Sequence, residues 1–169
     1  FEYGRGLPAF IAAYPYAQAL PWLADVARME RAWLDAYHAA DRPALDAHAL
    51  AAVDPACLAT LHFEPHPAAR LVRSRYCAVA LSTQHRAEGA AAPLPAHAAE
   101  DALITRPEGE VIVSRLPAGG AAFLHALLAG APLGAAANAA LDEVASFDLG
   151  ANLAGMLSAG VFTALRPGD

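Results

Sequence analysis

The densest group of potential metal ligands in the chain is His62-Phe63-Glu64-Pro65-His66. Imidazoles and a carboxylate at alternate positions offer nitrogen and oxygen donors suited to zinc or iron. Pro65 and Pro67 distort that stretch, and no second cluster completes a coordination sphere, so it reads as a solvated, turn-rich corner. Glu30 and His38 share a helix flank but stand eight residues apart. That is about 12 Å along a helix axis, too far for one ion. Glu30 reads instead as a half-buried carboxylate paired with an arginine between 70 and 75. Ser74, Ser82, Ser114, Ser146 and Ser158 occupy no G-x-S-x-G turn. Gly119-Gly120 and Gly130 lack the spacing of a phosphate-binding loop. Cys57 and Cys77 lack disulfide-framework or metal spacing and read as reduced thiols of a cytoplasmic protein. No catalytic or metal-ligating set emerges. An enzyme using His62, Glu64 and His66 on a metal stays as an alternative.

The elements that would position any site begin with Leu7 to Tyr14, a short apolar segment stopped by Pro15. Trp22, Val26, Met29, Trp33 and Tyr37 then recur at helical period and predict a helix from Gln18 to Ala40. Asp46 and Asp54-Pro55 predict the starts of two short helical pieces. Arg70–Ser74 and Tyr76–Ser82 read as extended, the second with Cys77, Val79 and Leu81 on one face. Glu88–Ala99 reads as a loop rich in Ala and Pro. Ala102–Thr105 and Glu110–Arg115 flank Arg106-Pro107-Glu108-Gly109, a hairpin signal. Three helices follow. The first opens at Pro117 and stops at Gly130, the second starts after Pro132, and the third begins near Ser146 or Asp148 and ends at Gly160. Val161–Leu165 is long enough for a closing strand. The expected fold class is α+β: a helical region over 1–68, then a winged-helix-like module over 69–169. That module has a three-stranded antiparallel sheet, three helices and a loop at 86–100.

Charge argues against the nucleic-acid role that a winged helix invites. The 169 residues carry a net charge of −6, and all 11 basic residues are arginine. Between Arg115 and Arg166 there is no cation, whereas duplex binding draws most of its affinity from phosphate contacts. The most apolar stretch, Gly119–Leu141, is interrupted by Gly130-Ala131-Pro132 and is too short in its parts to span a bilayer. Phe1-Glu2-Tyr3-Gly4 has neither a signal-peptide pattern nor an initiator methionine, which points to a piece of a longer protein. Glu110-Val111-Ile112-Val113-Ser114-Arg115 is apolar on both faces, and its free edge could accept an extended peptide as an added strand.

Several segments resemble the HvfC/BufC family: Pro21-Trp22-Leu23-Ala24-Asp25-Val26-Ala27-Arg28-Met29-Glu30, Ala36-Tyr37-His38-Ala39-Ala40-Asp41, His66-Pro67 and Arg73-Ser74-Arg75-Tyr76. These are accessory proteins encoded beside multinuclear non-heme iron-dependent oxidative enzymes, and many are described as DNA-binding. The resemblance spans nearly the whole chain. It implies that Glu2–Phe10 follows a family domain absent here, which leaves a DNA-binding regulator as a further alternative. The tail resembles PqqD-like precursor-peptide recognition domains, with Tyr76–Ser82, Ala102–Arg106 and Glu110–Leu116 as their three strands. That resemblance implies a leader peptide held by Val111, Ile112, Val113 and Ser114 with Leu149, Asn152, Leu153 and Met156. The first resemblance implies a non-catalytic subunit that meets its iron oxidase through Asp25, Arg28, Arg31 and His38. The iron would then belong to the partner, with no cofactor in this chain, and cysteine modification of a ribosomally made peptide would give copper-chelating groups.

Overall fold

The run Ala102–Thr105 has an apolar residue at nearly every position, and it forms a strand with neighbours on both sides. A computed structural model describes residues 4–86 and 98–168. In it β2 (Arg70–Val72), β3 (Ala102–Thr105) and β4 (Ile112–Arg115) make an antiparallel sheet in the order β2-β3-β4. All four residues of β3 are buried, as a central strand covered on both faces requires. β1 (His62–Pro65) and β5 (Phe162–Arg166) form a separate antiparallel pair. Around them lie α1 (Leu7–Ala13), α2 (Leu23–Tyr37), α3 (Ala47–Ala51), α4 (Ala78–Arg86), α5 (Gly120–Leu128), α6 (Leu133–Glu143) and α7 (Leu149–Ser158). The class is α+β.

Two apolar clusters share the sheet. Met29, Ala32 and Ala36 of α2 pack with Val72, Ala78, Ala102 and Ile104. Leu103 belongs to the other cluster, with Phe63, Phe123, Leu127, Met156 and Phe162. Alternate residues of β3 therefore feed opposite cores, as the period of two demands. Leu61 and Phe63 sit in the second cluster beside residues of α5–α7, so residues on both sides of position 68 build it.

Four expectations change. The long helix is shorter at both ends, Leu23–Tyr37, because residues 15–23 run as a 3₁₀ turn and successive tight turns around Pro15 and Pro21. Its buried face is Ala24, Asp25, Met29, Ala32 and Ala36, which keeps only Met29 of the expected apolar stripe. Trp33 and Tyr37 stack at 5.4 Å on its flank, and Tyr37 is exposed. The alanines, small enough to let α2 lie close on the sheet, make its contact face.

Tyr76–Ser82 is not a strand; α4 starts at Ala78, and the sheet's first strand is Arg70–Val72. Ala78 and Ser82 are buried at a spacing of four, the helical alternative that a short apolar run always leaves open. The Glu100 carboxylate accepts from the Ala80 N–H at 2.9 Å, satisfying a first-turn donor that the helix cannot. The corner at His62–Pro67 contains β1. Its pairing with β5 slips at Glu64/Pro65, where proline has no N–H to give the ladder. Finally, the hairpin's second strand begins at Ile112, two residues late, after a 3₁₀ turn at Pro107–Gly109. The loop expected at 86–100 lies mostly outside the described residues.

The terminal helices end as their glycines predict. Gly130 and Gly160 have φ of 87° and 65°. Each closes a Schellman turn, through Ala131 N–H to Ala126 O and Val161 N–H to Met156 O. The second turn feeds the chain directly into β5.

Candidate functional site

A groove of about 370 Å³ runs between β4 and α7. Its floor is Leu103 and Thr105 of β3, one wall is Ile112 and Ser114 of β4, and the other is Asn152 and Met156 of α7. The register explains the floor and first wall: Leu103 faces Ser114 and Thr105 faces Ile112, so all four point the same way. Among the described residues β4 has a strand neighbour only in β3, so its other edge is unpaired there. α7 is fixed by Asp148, whose Oδ1 accepts from the Ala151 N–H at 2.9 Å, and Asn152 Nδ2 donates to the Asp148 carbonyl at 2.8 Å. The lining is mostly apolar, with Thr105, Ser114, Asn152 and Ser158 as hydrogen-bonding groups and Arg115 at the rim. Such a surface suits an extended apolar segment with a few polar anchors.

Of the eight residues expected at a peptide site, Ile112, Ser114, Asn152 and Met156 line this groove. Val111 and Val113 turn to the opposite face and pack against the α2 cluster. Leu149 and Leu153 pack against the cluster of β1, β5 and α5–α7. Thr105, Leu116 and Leu124 also line the groove and were not anticipated. The period-two pattern of 111–114 carries the signal that sorts the two faces.

The residues expected to meet a partner are spread along α2. Asp25 is 7% exposed and accepts from Ser74 Oγ at 2.6 Å, with Arg28 as its ion-pair partner. Ser74 Oγ also accepts from the Tyr76 N–H at 3.0 Å, so one hydroxyl joins α2 to the chain beyond β2. Arg28 is half-exposed, Arg31 is largely covered and paired with Asp35, and the exposed His38 meets the Tyr37 ring edge-on. Glu30 is exposed rather than half-buried and accepts from Ser82 Oγ at 3.1 Å. Among the described residues the buried carboxylates are Asp25 and Glu100.

His62, Glu64 and His66 take three different partners. His62 Nδ1 lies 2.9 Å from the Gly130 carbonyl, and Glu64 pairs with Arg166 at 2.8 Å. That arginine's hydrogen bond holds the Glu64 carboxyl below the ordinary glutamate range. His66 is buried: its Nδ1 accepts from the Ala68 N–H, so its Nε2–H donates to the Arg42 carbonyl at 2.9 Å. Among the described residues no three His, Cys, Asp or Glu side chains converge as metal ligands. No helix there is long and apolar enough to cross a membrane. No family model matches the chain, and no curated protein matches it.

Proposed function

We propose that this chain is a non-catalytic accessory subunit that holds an extended precursor or leader peptide in the β4–α7 groove and docks on a separate enzyme through its helical half. The observation that carries the reading is the groove itself: an edge strand and a capped helix enclosing an apolar trough with four polar anchors. A peptide added beside β4 would gain main-chain hydrogen bonds from the strand and place alternate side chains toward Ile112 and Met156. The resemblance to accessory proteins of multinuclear iron oxidases supplies the partner's class. The iron and the oxidation of peptide cysteines belong to that partner.

Co-expression with an iron oxidase and precursor peptide of the same gene neighbourhood tests the reading. The expected result is co-purification of the oxidase and peptide modification that depends on this chain. Failure to co-purify, or full modification without the chain, overturns it. Duplex DNA is a poor alternative ligand, since α6 and α7 present no cation between Arg115 and Arg166.

A further inference from the structure

We infer that the aromatic ledge from Leu7 to Leu20 is a protein-docking face, and that its partner presents an apolar segment flanked by carboxylates. Large apolar side chains exposed among the described residues number eight, and Leu7, Phe10, Tyr14, Tyr16 and Leu20 are five of them. Tyr16 is 85% exposed and Phe10 61%. The rings form one continuous surface: Phe10 stacks on Tyr14 at 5.3 Å, and Tyr14 meets Tyr16 at 5.5 Å. Exposed apolar clusters of this kind mark interaction sites, and tyrosine and arginine are the residues that most often anchor them.

Charge selects the occupant. Beside the ledge lies a pocket of about 300 Å³ lined by Gln18, Leu20, Asp25, Arg28 and Arg75. Asp25 is satisfied from within by Ser74 and Arg28. Arg75 is exposed and makes no ion pair among the described residues. Two guanidiniums against one carboxylate leave this pocket positive on a chain whose net charge is −6. A second copy docked about a twofold axis through this pocket would set Arg28 and Arg75 against their own counterparts, so the ledge suits a different, acidic partner. The ledge begins on α1, which packs on α2, and continues through the turns that follow it. α2 covers the sheet face opposite the groove, so both surfaces can be filled at once. The inference rests on the accessory-subunit reading for the partner being a protein, and it adds where that protein binds and with what chemistry.

The test uses the co-expressed complex with an iron oxidase. A photo-crosslinking phenylalanine replaces Tyr16 in one preparation and Leu141, an exposed site on α6, in another. The crosslinked peptides are then sequenced by mass spectrometry. The expected result is a crosslink from position 16 alone, to an oxidase segment with apolar residues flanked by Asp or Glu. Arg75→Glu and Tyr16→Ser should each lower co-purified oxidase at least tenfold while the circular dichroism spectrum stays unchanged. A crosslink to a second copy, to a segment without carboxylates, or from position 141 alone overturns the inference. So does binding to anionic phosphatidylglycerol vesicles that Tyr16→Ser abolishes. An intact complex indifferent to both substitutions overturns this inference and leaves the accessory reading standing, whereas no complex with the unaltered chain overturns both.

Discussion

On one face of the three-stranded sheet, Ala102, Ile104 and Val113 pack in a cluster with Met29, Ala32 and Ala36 of α2. On the other, Leu103, Thr105, Ile112 and Ser114 look across a groove at α7. The same two strands thus serve a closed face and an open one, and only residue parity separates them. Alanines at the closed face let α2 approach until no groove remains. α7 instead lines the far wall of that groove, through Asn152 and Met156. An apolar residue in or just before β4 therefore carries two meanings: at 111 and 113 it seals a core, while at 112 it lines a wall that a ligand can reach.

The largest way to break that comparison is from the closed side. Ile104 is 0% exposed, and Ile104→Ala should cost about 2–5 kcal/mol, lost contacts plus a residual cavity. A urea titration followed by circular dichroism reads this as a lower midpoint with an unchanged slope. A cost below about 1 kcal/mol would mean that the α2 face is not the tight one.

Next in size is the polar tie that holds α2 beside the sheet. Ser74→Ala removes the donor to the buried Asp25 carboxylate and the acceptor of the Tyr76 N–H. Hydrogen bonds to charged groups contribute about 1.5–3 kcal/mol, so the loss should fall in that range. Ser74→Thr, which keeps the hydroxyl, should recover much of it if the added methyl fits. Equal losses for the two variants would locate the effect in packing instead.

A smaller effect concerns the open side's second wall. Asp148→Ala removes the cap of α7 and should cost about 0.5–2 kcal/mol. Hydrogen exchange should report it first at Ala151 and Asn152, in the uncapped turn, and only weakly along α2. Uniform loss of protection through both faces would show that the walls do not open independently.

Much of this asymmetry was legible in the chain, and the two missed elements share one cause. The helices from Gly120 to Ser158 could be placed because proline, glycine and Asp148 mark their ends locally. The hairpin around Pro107–Gly109 was legible for the same reason. α4 was not, since Ala78–Leu81 fits either period and one of its first-turn donors is satisfied by Glu100, twenty residues away. β1 was hidden likewise: its partner β5 is about a hundred residues downstream, and its prolines resemble a corner. At the groove, treating 111–114 as one binding strip put four neighbours on a single face, although backbone pleating forces them onto two.

The smallest expected effect on stability makes the sharpest test. Ile112 is 43% exposed, so Ile112→Glu removes little buried area and should change stability by no more than about 0.5 kcal/mol. Val113→Glu, one residue along the same strand, drives a charge toward the Met29–Ile104 cluster and should cost several times more. The order reverses for the ligand. A carboxylate at 112 stands at the mouth of an apolar groove, opposite Thr105 in register. There it should weaken a fluorescently labelled precursor peptide at least tenfold, about 1.4 kcal/mol. If Ile112→Glu unfolds the chain while Val113→Glu does not, the assignment of faces is wrong. If it leaves both stability and peptide affinity unchanged, the open face of the sheet is not where the peptide lies.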